Sequence, residues 1–218
     1  MTDVQPISER LRESDVAVCI RETRLVAVLR RVEPTARLVA LVEELAADGV
    51  RVFEITFDAP SAAADLAACR AALETDGANR CFVGAGTLRT MAQLDSARGA
   101  GAAFGVSPVF DAAIVGAALA NELPFIPGAY TPTEIDGAWS AGATFVKLFP
   151  ASSAGPSHVR ELRGPMPEIE LIATGGVDAS NARAFLDAGA VAVGIGGAIA
   201  RGTPDERRAL VGAVRMPA

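Results

Sequence analysis

Short branched-apolar runs alternate with alanine-rich helical stretches along the whole chain, at a spacing of roughly 20 to 25 residues that is typical of repeated βα units. The predicted strands are Leu25–Leu29, Val52–Ile55, Cys81–Ala85, Ala103–Val106, Phe125–Ile126, Phe145–Leu148, Leu171–Ala173 and Val191–Ile195. The predicted helices cover 34–48, 61–74, 90–100, 111–120, 132–140, 157–163, 179–187 and 204–214. Eight strands, each followed by a helix, predict an α/β protein with a (β/α)8 TIM barrel. The loops are expected to be short, because the 218 residues fall below the roughly 250 typical of that fold.

The segment before the first strand, residues 6–20, is predicted to be an extra N-terminal helix that closes the bottom of the barrel. No change of composition, Ser/Gly linker or low-complexity tract divides the chain, so we expect a single barrel domain over residues 1–218. An open, doubly wound sheet is the alternative architecture. The count of eight strands, and the absence of a GxGxxG motif after the first strand, argue against it.

The charge and the hydropathy of the chain argue against nucleic acids and membranes as binding partners. A net charge of −6 and an isoelectric point near 4.9, without a basic cluster, argue against a nucleic-acid partner. No run reaches about eighteen apolar residues, so we expect no membrane span. The N-terminal residues carry no apolar signal-peptide core, and we therefore expect a cytoplasmic protein.

Cysteine and histidine usage gives no sign of a metal centre or a disulfide framework. Cys19, Cys69 and Cys81 are widely spaced, contain no CxxC pair and are expected to be reduced thiols. His158 is the only histidine, so a site with several histidine ligands is excluded. We expect neither a metal nor an organic cofactor, with a carboxylate-held Mg²⁺ as an unsupported alternative.

Lys147 is the only lysine beside nineteen arginines, and it interrupts the apolar run Ala143–Pro150. Guanidinium stays charged at any working pH, whereas an amine can lose its proton. Burial between Phe145 and Phe149 would disfavour the ammonium form and favour a neutral nucleophile for carbonyl carbons. The alternative is a lysine that survived compositional drift and extends from a strand end into water. We interpret Lys147 as a catalytic candidate.

Glu54 is the second candidate, because it interrupts an otherwise apolar strand. An ionised carboxylate inside a barrel is costly unless it is paired or carries protons in a reaction. The alternative is a structural carboxylate paired with Arg51 or with another barrel residue. Glu54 and Lys147 are expected to face each other across the mouth of the barrel, and we interpret Glu54 as a general acid/base.

Active sites of (β/α)8 barrels lie at the carboxyl ends of the strands. Besides Glu54 and Lys147, those ends carry Arg30, Thr87, Pro108, Thr174, the pair Gly175 and Gly176, and the pair Gly196 and Gly197. Backbone N–H groups of the two glycine pairs can approach an anion closely, and loops after strands seven and eight often hold phosphate in such barrels. Tight βα turns also need glycine, so the pairs alone do not decide between the two interpretations.

Six short segments, in this order and spacing, resemble one enzyme family. They are GVRVFEIT (49–56), VGAGT (83–87), VSP (106–108), IPGAYTPTE (126–134), VKLFPA (146–151) and TGGV (174–177). Over about residues 20–200 the chain resembles the class I 2-keto-3-deoxy-6-phosphogluconate and 4-hydroxy-2-oxoglutarate aldolases. VLR (28–30) and KLFPASSAGP (147–156) look most like the 2-keto-3-deoxy-6-phosphogalactonate branch.

The resemblance implies a role for each candidate. Lys147 would form the Schiff base, Glu54 would be the general acid/base, and Thr87 would contact the pyruvyl carboxylate. Arg30 would touch the substrate, and the two glycine loops would hold a phosphate. It also implies a homotrimer of barrels that cleaves a 2-keto-3-deoxy sugar acid, with a 6-phosphorylated acid as the expected substrate, to pyruvate and a short aldehyde such as glyceraldehyde 3-phosphate.

Two positions depart from the family pattern. Many members carry Arg four residues after the acid/base Glu, where this chain has Asp58, and many carry Ser after the last glycine pair, where it has Ala198. These departures leave open an aldolase for 4-hydroxy-2-oxoglutarate or for an unphosphorylated keto acid. Two further alternatives are a non-catalytic sugar-acid binding barrel, and a phosphosugar isomerase or epimerase that uses Glu54 as a base without an imine.

Overall fold

The computed structural model describes residues 5–74, 77 and 80–215, and within them the strand segments form one sheet whose neighbouring segments pair in parallel. The order is β5-β4-β3-β2-β1-β9-β8-β7-β6. The segments are β1 (Leu25–Leu29), β2 (Val52–Thr56), β3 (Phe82–Gly86), β4 (Gly105–Val106), β5 (Phe125–Ile126), β6 (Gly128–Ala129), β7 (Val146–Leu148), β8 (Leu171–Thr174) and β9 (Ala192–Ile195).

The two edge segments, β5 and β6, are halves of one strand interrupted at Pro127, which has no N–H to donate. β5 pairs with β4, and β6 pairs with β7. The Phe125 carbonyl accepts from Thr144 N–H, and the Pro127 carbonyl accepts from Lys147 N–H, both at 2.9 Å. This strand therefore bonds to neighbours on both sides, so the barrel is closed and has eight strands. The predicted (β/α)8 architecture is confirmed.

Helices follow the strands around the outside of the barrel. Their bounds are α1 (Ile7–Arg12), α2 (Asp15–Thr23), α3 (Thr35–Ala47), α4 (Ala62–Ala72), α5 (Met91–Gly99), α6 (Ala112–Ala120), α7 (Pro132–Ser140), α8 (Ala151–Arg163), α9 (Ala182–Asp187), α10 (Gly197–Arg201) and α11 (Pro204–Val214). No helix within the described residues has the length and apolar character needed to span a bilayer.

The N-terminal segment differs from the single helix predicted over residues 6–20. It forms two helices, α1 and α2, with a turn at Ser14 whose hydroxyl donates to the Leu11 carbonyl at 2.7 Å. Serine outside a helix interior often bonds to nearby backbone in this way, which favours a break. Val16, Ala17 and Ile20 of α2 join the apolar cluster inside the barrel, so the predicted closure of the barrel bottom is confirmed.

Three further helix bounds differ from the sequence prediction. α8 begins at Ala151 instead of 157, with a kink at Gly155 (φ 74°) just before Pro156. α9 begins at Ala182 instead of 179, because the Asp178 carboxylate accepts from Ser180 N–H and Oγ–H and holds a turn before the helix. α10 was not among the predicted helices, and it follows directly on the second glycine pair.

Candidate active site

Lys147 and Glu54 meet inside the barrel, near the carboxyl ends of their strands. Lys147 is the middle residue of β7 and Glu54 the middle residue of β2. Lys147 Nζ lies 3.6 Å from Glu54 Oε1, and the two side chains are 8% and 3% exposed. That distance is an ion-pair contact that is slightly too long for a hydrogen bond, and Glu54 Oε1 has no hydrogen-bond partner among the described residues. The structure thus places an unpartnered carboxylate oxygen beside the amine of Lys147.

Gly86, the last residue of β3, makes room for the Glu54 side chain. A Cβ atom at Gly86 would lie 2.5 Å from Glu54 Cγ, and closer still to Oε1. A similar contact occurs at Gly194, where a Cβ atom would lie 2.9 Å from Thr174 Cγ2. Both positions therefore require glycine, because the side chains of Glu54 and Thr174 occupy the space that a Cβ atom would take.

A cavity of about 500 Å³ opens above the pair at the carboxyl ends of the strands. It is lined by Val28, Arg30, Lys147, Phe149, Thr174, Gly175, Gly176, Val177, Asp178, Gly194, Gly196, Gly197, Ala198, Ala200 and Arg201. Seven of the ten residues proposed from the sequence for the site thus line one cavity. Glu54 lies below it, in a small space shared with Lys147 and Thr174.

The remaining two candidates do not line this cavity. Thr87 Oγ1 accepts a long hydrogen bond of 3.5 Å from Arg30 Nη2, so Thr87 lies beside a residue that does line it. Pro108 presents its backbone carbonyl to Gly128, where an added Cβ would collide with it. The substrate contacts predicted for Thr87 and Pro108 stay predictions.

Asp58, the first departure from the family pattern, is held by cationic and hydroxyl groups. Its Oδ2 lies 3.4 Å from Arg31 Nε and 4.0 Å from Arg30 Nε. Its Oδ1 accepts from Thr56 Oγ–H at 2.7 Å. The negative charge at this position is therefore opposed by two guanidinium groups, which reduces its repulsion of an anionic ligand in the mouth.

Two non-glycine residues of this region have left-handed backbone conformations. Thr87 has φ 61° and Arg31 has φ 48°. Positive φ is rare for a β-branched residue, and such strain costs about 1–3 kcal/mol, so it persists only where the surrounding structure enforces it. Thr87 thus combines a strained backbone with a hydroxyl that contacts Arg30.

The loop after β8 needs both of its glycines. Gly175 and Gly176 have φ of 94° and 73°. A Cβ atom at Gly175 would lie 3.1 Å from the Phe149 ring, and one at Gly176 would lie 2.8 Å from Ser152 Oγ. The loop therefore packs closely on the start of α8 while its other side faces the cavity.

The sequence analysis did not propose Phe149, Asp178 or Arg201, although all three line the cavity. Phe149 lies two residues after Lys147, and its ring centroid is 5.4 Å from Nζ. The Asp178 pKa is lowered because the Ser180 hydroxyl and N–H donate to its carboxylate. Arg201 is the last residue of the five-residue helix α10, so it is not among the residues at the strand ends. Its position soon after a glycine pair is the sequence feature that could have indicated it.

No group of three His, Cys, Asp or Glu side chains suited to a metal ion occurs in the part of the chain that the structure describes. The arrangement instead offers an amine, a carboxylate, hydroxyl groups and guanidinium groups around one opening. An amine beside a free carboxylate oxygen suits imine chemistry with proton transfer.

The chain is similar to known aldolases. The family model described as "Aldolase: KDPG and KHG aldolase" matches residues 16–205. A Rhizobium meliloti (strain 1021) protein, "Probable 2-dehydro-3-deoxy-6-phosphogalactonate aldolase", is 32% identical over 82% of this chain and 82% of its own length. A 2-dehydro-3-deoxy-phosphogluconate aldolase of Treponema pallidum (strain Nichols) is 36% identical over 72% of this chain and 71% of its own.

A solved structure supports the same family. A native KDPGal structure superimposes with a TM-score of 0.79 at 28% identity, and the match covers 87% of this chain and 93% of that one. The family match spans most of the chain, including every residue that lines the cavity. On the motifs, the fold and these matches together, the chain belongs to the KDPG and KHG aldolase family.

Proposed function

We propose that this protein is a class I aldolase that cleaves a 2-keto-3-deoxy sugar acid to pyruvate and a short aldehyde. The observation that carries the proposal is the buried pair of Lys147 and Glu54, 3.6 Å apart below the cavity. A buried charged pair is weak evidence for stability, since apolar replacements are often equally stable. A lone amine beside an unpartnered carboxylate oxygen is what imine formation requires.

Imine formation begins when Lys147, as the free amine, attacks the C2 ketone of the substrate. The resulting carbinolamine loses water to give an iminium ion, and Glu54 supplies and removes the protons that this step needs. Glu54 Oε1 is placed to take the ammonium proton, since it lies 3.6 Å from Nζ and accepts no hydrogen bond among the described residues.

Cleavage of the C3–C4 bond follows from the iminium ion. Glu54 accepts the proton of the C4 hydroxyl, the C3–C4 electron pair moves into the iminium group, and the aldehyde leaves. The enamine that remains is protonated at C3, and water then hydrolyses the pyruvyl iminium to free pyruvate and Lys147. Burial of the pair keeps bulk water away from these proton transfers.

The ends of the substrate are assigned by charge. The mouth next to Arg30 and Thr87, which are joined by a 3.5 Å hydrogen bond, suits the pyruvyl carboxylate. The loops of Gly175, Gly176, Gly196 and Gly197 line the same cavity, and the far end of the substrate would lie against them. A 6-phosphorylated acid, with glyceraldehyde 3-phosphate as the aldehyde product, is the expected substrate.

An unphosphorylated keto acid, or 4-hydroxy-2-oxoglutarate, is a second candidate for the substrate, which Ala198 favours because this residue has no hydroxyl for a phosphate.

We also propose that residues 1–218 act as a single barrel domain and that three such barrels assemble into a homotrimer. The support is family membership. Sedimentation equilibrium tests the trimer, and a monomer mass would contradict it. A cytoplasmic location stays a prediction.

Borohydride trapping tests the proposed chemistry. The protein is incubated with pyruvate and sodium borohydride, and its intact mass and peptide map are measured. We expect a single pyruvyl adduct on the peptide that contains Lys147. Because Lys147 is the only lysine, no other side-chain amine can form an adduct. The Lys147→Arg variant is the control and should give no adduct. A folded wild-type protein without an adduct would favour the imine-free isomerase or the binding barrel.

A further inference from the structure

The guanidinium group of Arg201 lies over the second glycine loop. Arg201 is the last residue of α10, and a Cβ atom at Gly197 would lie 2.5 Å from its Nη2, 3.1 Å from its Cζ and 3.2 Å from its Nη1. The side chain therefore folds back along α10 toward the cavity, of which Arg201 is a lining residue. Any larger residue at Gly197 would push the guanidinium away.

This guanidinium has no partner among the described residues, where Arg201 forms neither an ion pair nor a side-chain hydrogen bond. The arginines that follow it on α11 behave differently, since Arg207 pairs with Glu44 and Arg208 with Asp48. Five N–H donors in a fixed fork, on the wall of a cavity, suit an anion with several oxygens. The acidic residue that lines the cavity, Asp178, already accepts hydrogen bonds from Ser180.

A local cation is needed at this wall for two reasons. The chain carries a net charge of −6, which does not favour an anion on its own. In addition, Ala198 offers no hydroxyl group directly after the second glycine pair, and the backbone N–H groups of that loop are uncharged donors.

We propose that Arg201 binds the terminal phosphate of the substrate, and so takes over the contact that a serine at position 198 would make. The substrate class is then a phosphorylated 2-keto-3-deoxy acid, and Arg201 is the residue that selects for the phosphate. This inference rests on the proposed aldolase function, and it assigns the far end of that site.

The test compares Arg201→Ala with Arg160→Ala on two substrates, a 2-keto-3-deoxy-6-phospho acid and the same acid without phosphate. Arg160 is an exposed arginine of α8 that does not line the cavity. The measured quantity is the ratio of kcat/KM for the phosphorylated acid to that for the unphosphorylated acid. Arg201→Ala should lower this ratio about 10- to 100-fold, as expected for loss of a charged hydrogen bond to an anion. Arg160→Ala should leave it unchanged.

A second pair of variants separates a direct contact from a change in folding. Adding Ala198→Ser to Arg201→Ala should recover part of the ratio, because the hydroxyl restores one donor at the same wall. Competitive inhibition by inorganic phosphate should weaken in Arg201→Ala and return in part in the double variant. Circular dichroism should show the same fold for all variants, since Arg201 is exposed.

Three outcomes would overturn the inference. An unchanged ratio in Arg201→Ala removes Arg201 from phosphate binding. An equal loss on the phosphorylated and unphosphorylated acids gives it a general role instead. 4-Hydroxy-2-oxoglutarate is assayed as a third substrate, and a selective loss on it shows that Arg201 serves a distal carboxylate. Pyruvate trapping is run on every variant: an adduct with an unchanged ratio refutes only the Arg201 assignment, whereas no adduct in the wild type refutes the aldolase itself.

Discussion

Lys147 Nζ and Glu54 Oε1 lie 3.6 Å apart although their strands, β7 and β2, are not neighbours in the sheet. Their contact crosses the interior of the barrel and exists only because the sheet closes at Pro127. The side chains have little freedom, since both are buried and Glu54 lies directly over Gly86. Small changes around either residue should therefore change catalysis more than stability.

Replacing Glu54 by Gln keeps the shape of the side chain and removes its capacity to carry protons. We expect kcat for aldol cleavage to fall about 10²- to 10⁴-fold, the usual contribution of a positioned general acid/base. Steady-state kinetics on the wild type and on Glu54→Gln measure this. Glu161→Gln, at an exposed position on α8, is the matched control and should retain wild-type kcat. A Glu54→Gln enzyme with nearly full activity would remove Glu54 from the mechanism.

Gly86→Ala should displace the Glu54 carboxylate without removing it. An added Cβ would lie 2.5 Å from Glu54 Cγ, so the side chain must shift from Lys147. We expect kcat to fall about 100-fold, the cost of an ångström-scale misplacement. Gly116→Ala in α6 is the control, because its added Cβ meets nothing within 4 Å. Equal activity of both variants would show that the Glu54 position is not critical.

Lys147→Met should leave the Glu54 carboxylate buried without its cation. Breaking a buried pair in this way costs about 3–5 kcal/mol in the free energy of unfolding, whereas replacing both partners by apolar groups is often neutral. The double variant Lys147→Met/Glu54→Met should therefore recover most of the stability lost in the single variant. Urea denaturation measures all three proteins. Losses that simply add in the double variant would argue against a direct interaction.

Arg30 and Arg31 both contact Asp58, but only Arg30 lines the cavity. Arg30→Gln should raise KM for the keto acid about 10- to 100-fold, because a charged hydrogen bond to the pyruvyl carboxylate is lost. Arg31→Gln should change KM far less, because Arg31 does not line the cavity and its charge neutralises the Asp58 carboxylate. The comparison is made by steady-state kinetics at constant ionic strength. A larger effect in Arg31→Gln would place the carboxylate elsewhere.

The thiols should resist modification in the folded protein. Burial raises the pKa of Cys69 to about 12 and that of Cys19 to about 11, from a usual value of 9.0. At pH 8 both are protonated, and iodoacetamide labelling of Cys69 should be at least about tenfold slower than in urea-unfolded protein, since the thiolate is the nucleophile. Fast labelling of Cys69 in the folded state would contradict its burial.

The same shifts set a pH dependence of stability. The unfolded chain releases thiol protons near pH 9, whereas the folded chain keeps them, so the unfolded state binds fewer protons above that pH. The contribution is fully present below pH 9 and is lost as pH rises toward the folded values near 11 and 12. Urea denaturation between pH 7 and pH 10.5 should show this fall, and Cys69→Ala should reduce it. An identical slope in the variant would assign the fall to other groups.

Much of this protein follows from local sequence. Alternation of short apolar runs and helical stretches predicts eight βα units, because strand and helix periodicity are properties of a few neighbouring residues. A lone amine and a carboxylate inside buried strands also stand out without any structure, since charge in an apolar strand is costly. Lys147 and Glu54 stand out in this way, and the two glycine pairs are identified by their place at the carboxyl ends of predicted strands.

Other features depend on distances between residues far apart in the chain. The neutralisation of Asp58 by Arg30 and Arg31, which lie in the loop after another strand, has no local signature. The 3.6 Å contact of Lys147 with Glu54 belongs to the same class. The periodicity of the sequence determines which helices and strands form and which residues they carry. Which side chains meet is decided only by closure of the barrel, because closure brings strands that are not neighbours in the sheet to face each other across the interior.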